Sequence, residues 1–286
     1  MSLLKSILII LSISTLTSCA SKKVQSSNEK KADIYYAHGT QKLISKDYTD
    51  ALNYLKQAAK LDPSSSRTFN NLGMAYYFKK RNDLALKHLE KSLELDPKNS
   101  DARNNLASIY FEMGQLSKAK QQYELILEDL TYPHQYRTHY NLGLIFLKQN
   151  EKQKAVTFLT KATDLKKDYC AANYQLGLVY KSTFKYHKAL NSFKDASKGT
   201  CTNNPEPHYQ WALTLKNLHM TDHALKKFLE IQENFPESKY VSLAKREISL
   251  IKEEEMFTHQ QRSKIRRQYY KANNQNNDVN IESPKF

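Results

Sequence analysis

Few side chains in this 286-residue chain have the types and spacings that do covalent or metal chemistry. His219 and His223 stand four apart, the interval at which two imidazoles on one helix face can hold zinc. Thr221-Asp222 between them reads as a turn joining two helices, so the rings are not expected to share a face and no metal site follows. There is no His-Glu-x-x-His, no Gly-x-Ser-x-Gly and no nucleotide loop. The other histidines are scattered, and Asp and Glu fall mainly where solvated helix faces and caps require them. The expectation is a protein that is not an enzyme and uses no cofactor. Three thiols remain, Cys19, Cys170 and Cys201, too few for a disulfide scaffold.

Cys19 has a distinctive setting. One lysine, Lys5, precedes an apolar run from Ile7 to Leu16. That run is about ten residues, roughly half of what a bilayer span requires. A basic start, a short apolar core and a small-residue exit describe a secretory signal peptide over residues 1–18. The exit Leu16-Thr17-Ser18-Cys19 resembles the lipobox of bacterial lipoproteins. The resemblance implies a diacylglyceryl thioether on Cys19, with cleavage making that cysteine the first residue. Acyl chains worth ~0.8 kcal/mol per buried methylene anchor a protein without spanning the membrane. Ala20, rather than Asp, follows the cysteine. By resemblance to enterobacterial lipoproteins this implies the outer membrane, with the body on the periplasmic face. Residues 19–31 are polar and read as a flexible tether.

Composition narrows the body. Six glycines and seven prolines are too few for a β-sandwich or a Rossmann-type fold, and a mean hydropathy of −0.71 excludes a multi-span membrane protein. The net charge is +15, and removing residues 1–18 takes away Lys5 alone to leave +14. Such a charge points to anionic partners. Export rules out nucleic acid as a working partner, and no zinc-finger spacing or RNP-like motif argues otherwise. Lipid headgroups, lipopolysaccharide phosphates or acidic protein faces remain.

The middle of the chain repeats. Asn71-Leu72-Gly73-x-x-Tyr76 recurs as Asn105-Leu106-Ala107-x-x-Tyr110, Asn141-Leu142-Gly143-x-x-Phe146 and Gln175-Leu176-Gly177-x-x-Tyr180, at offsets of 34, 36 and 34 residues. Twelve residues after each Gly or Ala stands an alanine: Ala85, Ala119, Ala155, Ala189. Four further on stands a large residue: Leu89, Tyr123, Leu159, Phe193. This pattern resembles the tetratricopeptide repeat. The resemblance implies an all-α, right-handed solenoid of six helix pairs, spanning 32–65, 66–99, 100–133, 136–169, 170–203 and 205–238. Small residues let helices A and B of each pair approach closely, and the large ones fill the seam. Residues 239–256 carry Val241, Leu243, Ala244, Ile248 and Ile251 in one stripe and read as a capping helix. Residues 257–286 hold six Lys/Arg against two Asp/Glu, with many Asn and Gln, and read as a disordered basic tail, in which Arg262 to Tyr270 could touch anionic lipid or cell wall or simply form a solvated extension of the capping helix.

In tetratricopeptide arrays the A helices line a concave groove. Carried onto this chain, the exposed positions include Tyr36, Asn70, Met74, Tyr77, Phe78, Asn104, Phe111, Tyr140, Leu144, Tyr174 and Tyr209. Such an aromatic and amide stripe suits an extended or helical peptide. The competing reading packs several of these aromatics as core. For Tyr77 and Phe78 the groove is favoured, because Tyr76 already holds the core position beside them. The resemblance also places Cys170 at the start of helix A of the fifth repeat and Cys201 after its helix B. An antiparallel pair brings these ends together, so a bridge closing about 31 residues is one outcome; two unpaired thiols beyond bridging distance is the other.

A lipobox, a short tether and six tetratricopeptide repeats together resemble the pilotin family of type IV pili. These lipoproteins help the secretin reach and assemble in the outer membrane. The resemblance implies a secretin subunit as the favoured client. Two other clients fit the same architecture: peptidoglycan hydrolases or synthases held by an adaptor, and outer-membrane barrel assembly. Phe235-Pro236-Glu237-Ser238-Lys239-Tyr240 is similar in style to the barrel-assembly group.

Overall fold

The computed structural model describes residues 26–276. The signal peptide expected over 1–18, the lipidation expected at Cys19 and the last ten residues of the tail lie outside them. Thirteen α-helices and no strand occur among the described residues. They form pairs: α1 (Ser27–Ile44) with α2 (Tyr48–Leu61), α3 (Ser66–Phe78) with α4 (Asn82–Leu95), and α5 (Ser100–Glu112) followed by α6 (Leu116–Leu127). Then come α7 (Gln135–Lys148) with α8 (Lys152–Leu165), α9 (Cys170–Ser182) with α10 (Tyr186–Ala196), and α11 (Pro205–Asn217) with α12 (Thr221–Asn234). The single helix α13 (Lys239–Asn276) ends the described chain. Two compact units result, one ending at Met113 after α5 and one beginning at Gly114 before α6.

The seam within each pair follows from residue size. A Cβ on Gly73 would sit 2.6 Å from Leu89 Cγ, and one on Gly177 would sit 2.5 Å from the Phe193 ring. Only glycine lets these helices come so close. Ala85, Leu89, Ala189 and Phe193 are accordingly fully buried. In the first unit, Leu55, Leu72 and Ala75 form one core cluster and Leu89, Leu106 and Ile109 another. In the second, Leu159, Ala162 and Leu176 join α8 to α9, while Phe228, Ile231, Ala244 and Ile251 join α12 to α13.

The turns between the helices of a pair share one conformation. Lys46, Lys80, Gly114, Asn150, Phe184 and His219 all take positive φ, between 56° and 75°, at the same repeat position. A single left-handed residue reverses the chain and lets the second helix fold back. Polar caps start several helices: Ser65 accepts from Thr68 N, Asn99 from Ala102 N and Asn204 from Glu206 N.

Two expectations are corrected. The tether does not extend to residue 31. Ser26 accepts from Glu29 N (3.1 Å) while its own N–H donates to Glu29 Oε2 (2.6 Å), a capping box that starts α1 at Ser27. The capping helix does not end at 256, and residues 257–276 are not disordered. They continue α13, whose 38 residues contain no Gly or Pro and are rich in Lys, Glu, Arg and Gln. Beyond Ile251 the helix packs little, with Phe257, Ile265, Tyr269 and Tyr270 all more than half exposed.

Candidate functional site

The first helices of the pairs, α1, α3 and α5, meet side by side in the first unit through their polar side chains. Arg67 on α3 pairs with Asp33 on α1, and its guanidinium lies 4.6 Å from the centroid of Tyr36. Asn71 Nδ2 donates to Thr40 Oγ1 (2.8 Å), and Asn105 Nδ2 on α5 donates to Asn70 Oδ1 (2.8 Å). Asn70 Nδ2 donates in turn to Asn71 Oδ1 (3.2 Å), completing a ladder of amides across three helices. Asn104 Oδ1 is buried and accepts no hydrogen bond among the described residues. Tyr77 OH donates to Glu112 Oε2 (2.5 Å), and burial, reinforced by that carboxylate, pushes the phenol up to about 12. Met74 and Phe111 are half-buried beside them. Phe78 is partly exposed but is not free: its ring stacks 4.8 Å from Tyr48 at the start of α2, so it sits at the edge of this face.

In the second unit the corresponding helices are α7, α9 and α11. Tyr140 is half-buried and meets Tyr169 edge to face at 5.3 Å, and Tyr136 does the same at 4.9 Å. Leu144 is half-buried one turn further along α7. Tyr174 OH donates to Glu206 Oε1 (2.6 Å), and burial followed by that carboxylate raises its pKa well above the ordinary phenol value. Tyr209 overturns its expectation. It is only 9% exposed, its ring lies against Phe228 and Tyr240 at 5.9 and 5.3 Å, and it belongs to the core. It occupies the same repeat position as Tyr36 and Tyr140, but α13 brings Tyr240 over it.

Residues that sequence reasoning missed sit nearby. Lys181 Nζ donates to Gln210 Oε1 (2.9 Å), and burial lowers the lysine pKa. Lys216 pairs with Glu247 at 2.9 Å. Both lysines stand at the repeat position that Tyr77 and Phe111 fill in the first unit, so reading the register position by position would have found them. Cys170 and Cys201 are brought together in a disulfide with a Cα–Cα distance of 6.1 Å. His219 lies in the left-handed turn before α12, and His223 lies in the first turn of that helix. Among the described residues no cluster of three or more His, Cys, Asp or Glu could hold a metal, and no helix is long and apolar enough to cross a membrane.

This arrangement can hold a polypeptide: neighbouring A helices present amides, tyrosines and short charged pairs in register. Tetratricopeptide repeat models match residues 36–100, 79–131, 136–169 and 171–198. No match was found among curated protein sequences. Among solved structures, PilF of Pseudomonas aeruginosa superposes with a TM-score of 0.68 at 20% identity, over 78% of this chain and 100% of PilF. PilW, described as a widely conserved type IV pilus biogenesis factor, gives 0.65 at 20% identity, over 74% of this chain and 97% of PilW. YrrB, described as having an unusual peptide-binding site, gives 0.51 at 19% identity over 67% and 97%. Helix pairs in register, glycines at the seams and matches covering more than half of the sequence agree: the chain belongs to the tetratricopeptide-repeat family.

Proposed function

We propose that this protein is a non-enzymatic lipoprotein of the outer membrane that holds a secretin subunit on its A-helix faces and promotes type IV pilus assembly. The observation that carries the binding role is the face of the first unit. Tyr36, Asn70, Met74, Tyr77 and Phe111 stand there half-exposed. Such groups receive a main chain or a side-chain anchor at low entropic cost. The choice of client is supported by the architectural likeness to PilF and PilW, whose descriptions concern pilus biogenesis. The lipobox-like Leu16-Thr17-Ser18-Cys19 supports the anchor. A lipid at that end raises the local concentration of a captured subunit at its membrane, with no bond made or broken. The basic end of α13, with Arg262, Lys264, Arg266 and Arg267, adds a salt-sensitive contact with anionic headgroups or wall polymer.

A strain lacking the gene is expected to lose heat-stable secretin multimers and twitching motility. Normal multimers in that strain reject the secretin reading. Labelled palmitate incorporated by the wild type and not by Cys19→Ser tests the anchor separately.

A further inference from the structure

A cavity of about 200 Å³ opens where α7, α9 and α11 of the second unit approach the 3₁₀ turn Gly199–Cys201. Its walls are the Tyr140 and Tyr174 side chains, Gln175, Asn204, Glu206 and the Cys170–Cys201 disulfide. The volume suits one long side chain rather than a cofactor, and the lining is aromatic with one carboxylate.

Glu206 belongs to a protein with 44 Lys and Arg against 29 Asp and Glu, yet it is in no ion pair among the described residues. The Tyr174 hydroxyl donates to its Oε1 and the Tyr240 hydroxyl also hydrogen-bonds the carboxylate, which together hold the group in place without neutralising it. It lies in the first turn of α11, where Asn204 accepts from its backbone N–H. A carboxylate's two oxygens offer about four lone-pair sites, so the two tyrosines leave capacity over.

We propose that this cavity receives an arginine side chain of the bound polypeptide, with the guanidinium on Glu206 and against the Tyr140 and Tyr174 rings. Arginine fits better than lysine because its planar fork both stacks on aromatic faces and pairs with a carboxylate. Its complementarity is specific: on a chain of net charge +15, this cavity offers a cation a carboxylate between aromatic walls. The disulfide forms one wall, so the cavity keeps its shape only while that bridge is intact. The proposal rests on the reading that the A-helix faces bind a polypeptide, and narrows it to one anchor residue.

The test uses the full chain and three blocked tripeptides, acetyl-Gly-Arg-Gly-amide and its Lys and Glu counterparts, followed by NMR shifts of the Tyr174, Gln175 and Asn204 amides. The Arg peptide is expected to shift these amides, the Lys peptide more weakly and the Glu peptide not at all. Glu206→Gln, which keeps an acceptor for Tyr174, is expected to weaken the Arg peptide about tenfold. An unchanged thermal midpoint for that variant shows that the fold is intact. Equal shifts by Arg and Glu peptides, equal Arg affinity in the variant, or no shift at all overturns the proposal. Failure here stays separable from failure of the broader reading. If Tyr77→Ala in the first unit abolishes secretin capture while Glu206→Gln leaves it unchanged, the face binds its client and the arginine anchor is wrong. If the Arg peptide binds as described but no secretin is captured, the anchor stands and the client is wrong.

Discussion

The two units present the same helical scaffold with different chemistry on it. At the fifth position of each repeat the first unit carries Tyr36, Asn70 and Asn104, while the second carries Tyr140, Tyr174 and Tyr209. At the twelfth it carries Leu43, Tyr77 and Phe111, against Leu147, Lys181 and Lys216. At these positions the first face is therefore uncharged, laced by the Thr40–Asn71–Asn70–Asn105 ladder, with the Arg67–Asp33 pair beside it. The second is tyrosine-walled and charged, with Lys181 on Gln210, Lys216 on Glu247 and Glu206 under Tyr174. On the proposed readings, identical backbone positions serve two kinds of recognition. Amides suit a partner's main chain, whereas a carboxylate beside aromatic rings suits one charged side chain. The second unit is also the one braced covalently, by Cys170–Cys201.

The units should differ most where the seam residue differs most in size. Phe193→Ala in the second unit is expected to cost about 4 kcal/mol, and Leu89→Ala in the first about 3 kcal/mol. Both side chains are fully buried against a glycine. Urea midpoints read by Trp211 fluorescence, which lies in the second unit, and by far-UV circular dichroism, which sees both, measure each loss. A larger Trp211 shift for Leu89→Ala than for Phe193→Ala would dissolve the distinction.

Reduction of the disulfide comes next. Cys170 and Cys201 are 31 residues apart. On the chain-entropy model a loop of that length contributes roughly 3–4 kcal/mol, all of it in the second unit. Adding dithiothreitol should lower the Trp211 midpoint by the corresponding amount, and Cys201→Ser should make the protein insensitive to reductant. A midpoint indifferent to reductant in the wild type would remove the brace from the comparison.

A smaller effect of opposite sign is expected at the turns. Phe184 is 79% exposed and holds φ at 57°, whereas the equivalent Gly114 holds 75° without steric cost. Phe184→Gly relieves a left-handed penalty of ~1–2 kcal/mol and loses part of that gain to greater freedom in the unfolded chain. A net stabilisation of ~0.5 kcal/mol should appear in the same urea assay.

The smallest effect is alkaline. Tyr77 in the first unit has its pKa raised from 10.0 to about 12, chiefly by burial and then by Glu112. A folded-state pKa above the unfolded one means that the stabilisation is complete below pH 10. It fades as the pH rises toward 12, where the folded phenol also ionises. Tyr77→Phe should flatten the stability profile of the protein across that window, as seen in thermal midpoints measured from pH 9 to 12. An unchanged slope would show that the Tyr77–Glu112 contact adds nothing to the first face.

The period of the fold was legible because it depends on size alone. Gly73 against Leu89 and Gly177 against Phe193 are pairs that any sequence reader can count at fixed intervals. The left-handed turns were not legible, since five of the six residues that adopt them are Lys46, Lys80, Asn150, Phe184 and His219 rather than glycine. Tyr209 reads like Tyr36 and Tyr140 in the register, and only the packing of α13 separates them by laying Tyr240 over the last one. The length of α13 was masked by its Asn and Gln content, which resembles disorder, although the absence of Gly and Pro pointed to a helix. The start of α1 was written plainly in Ser26-Ser27-Asn28-Glu29 and overlooked because the flanking residues are so polar. Glu206 and Lys181 escaped notice because each is ordinary in sequence; their significance lies in burial and in neighbours 30 residues away.

The distal half of α13 has a consequence of its own. Past Ile251 it runs on for 25 residues, about 37 Å, held straight by little beyond its own backbone ladder. Most helical stability in proteins comes from tertiary packing, and this segment has little of it. Its straightness is therefore set by whatever touches it, and it is the place where a protease such as trypsin, attacking Arg262 through Lys271, meets least resistance. Docking would stiffen this spar and undocking would fray it, so its susceptibility to nicking serves as a built-in gauge of occupancy.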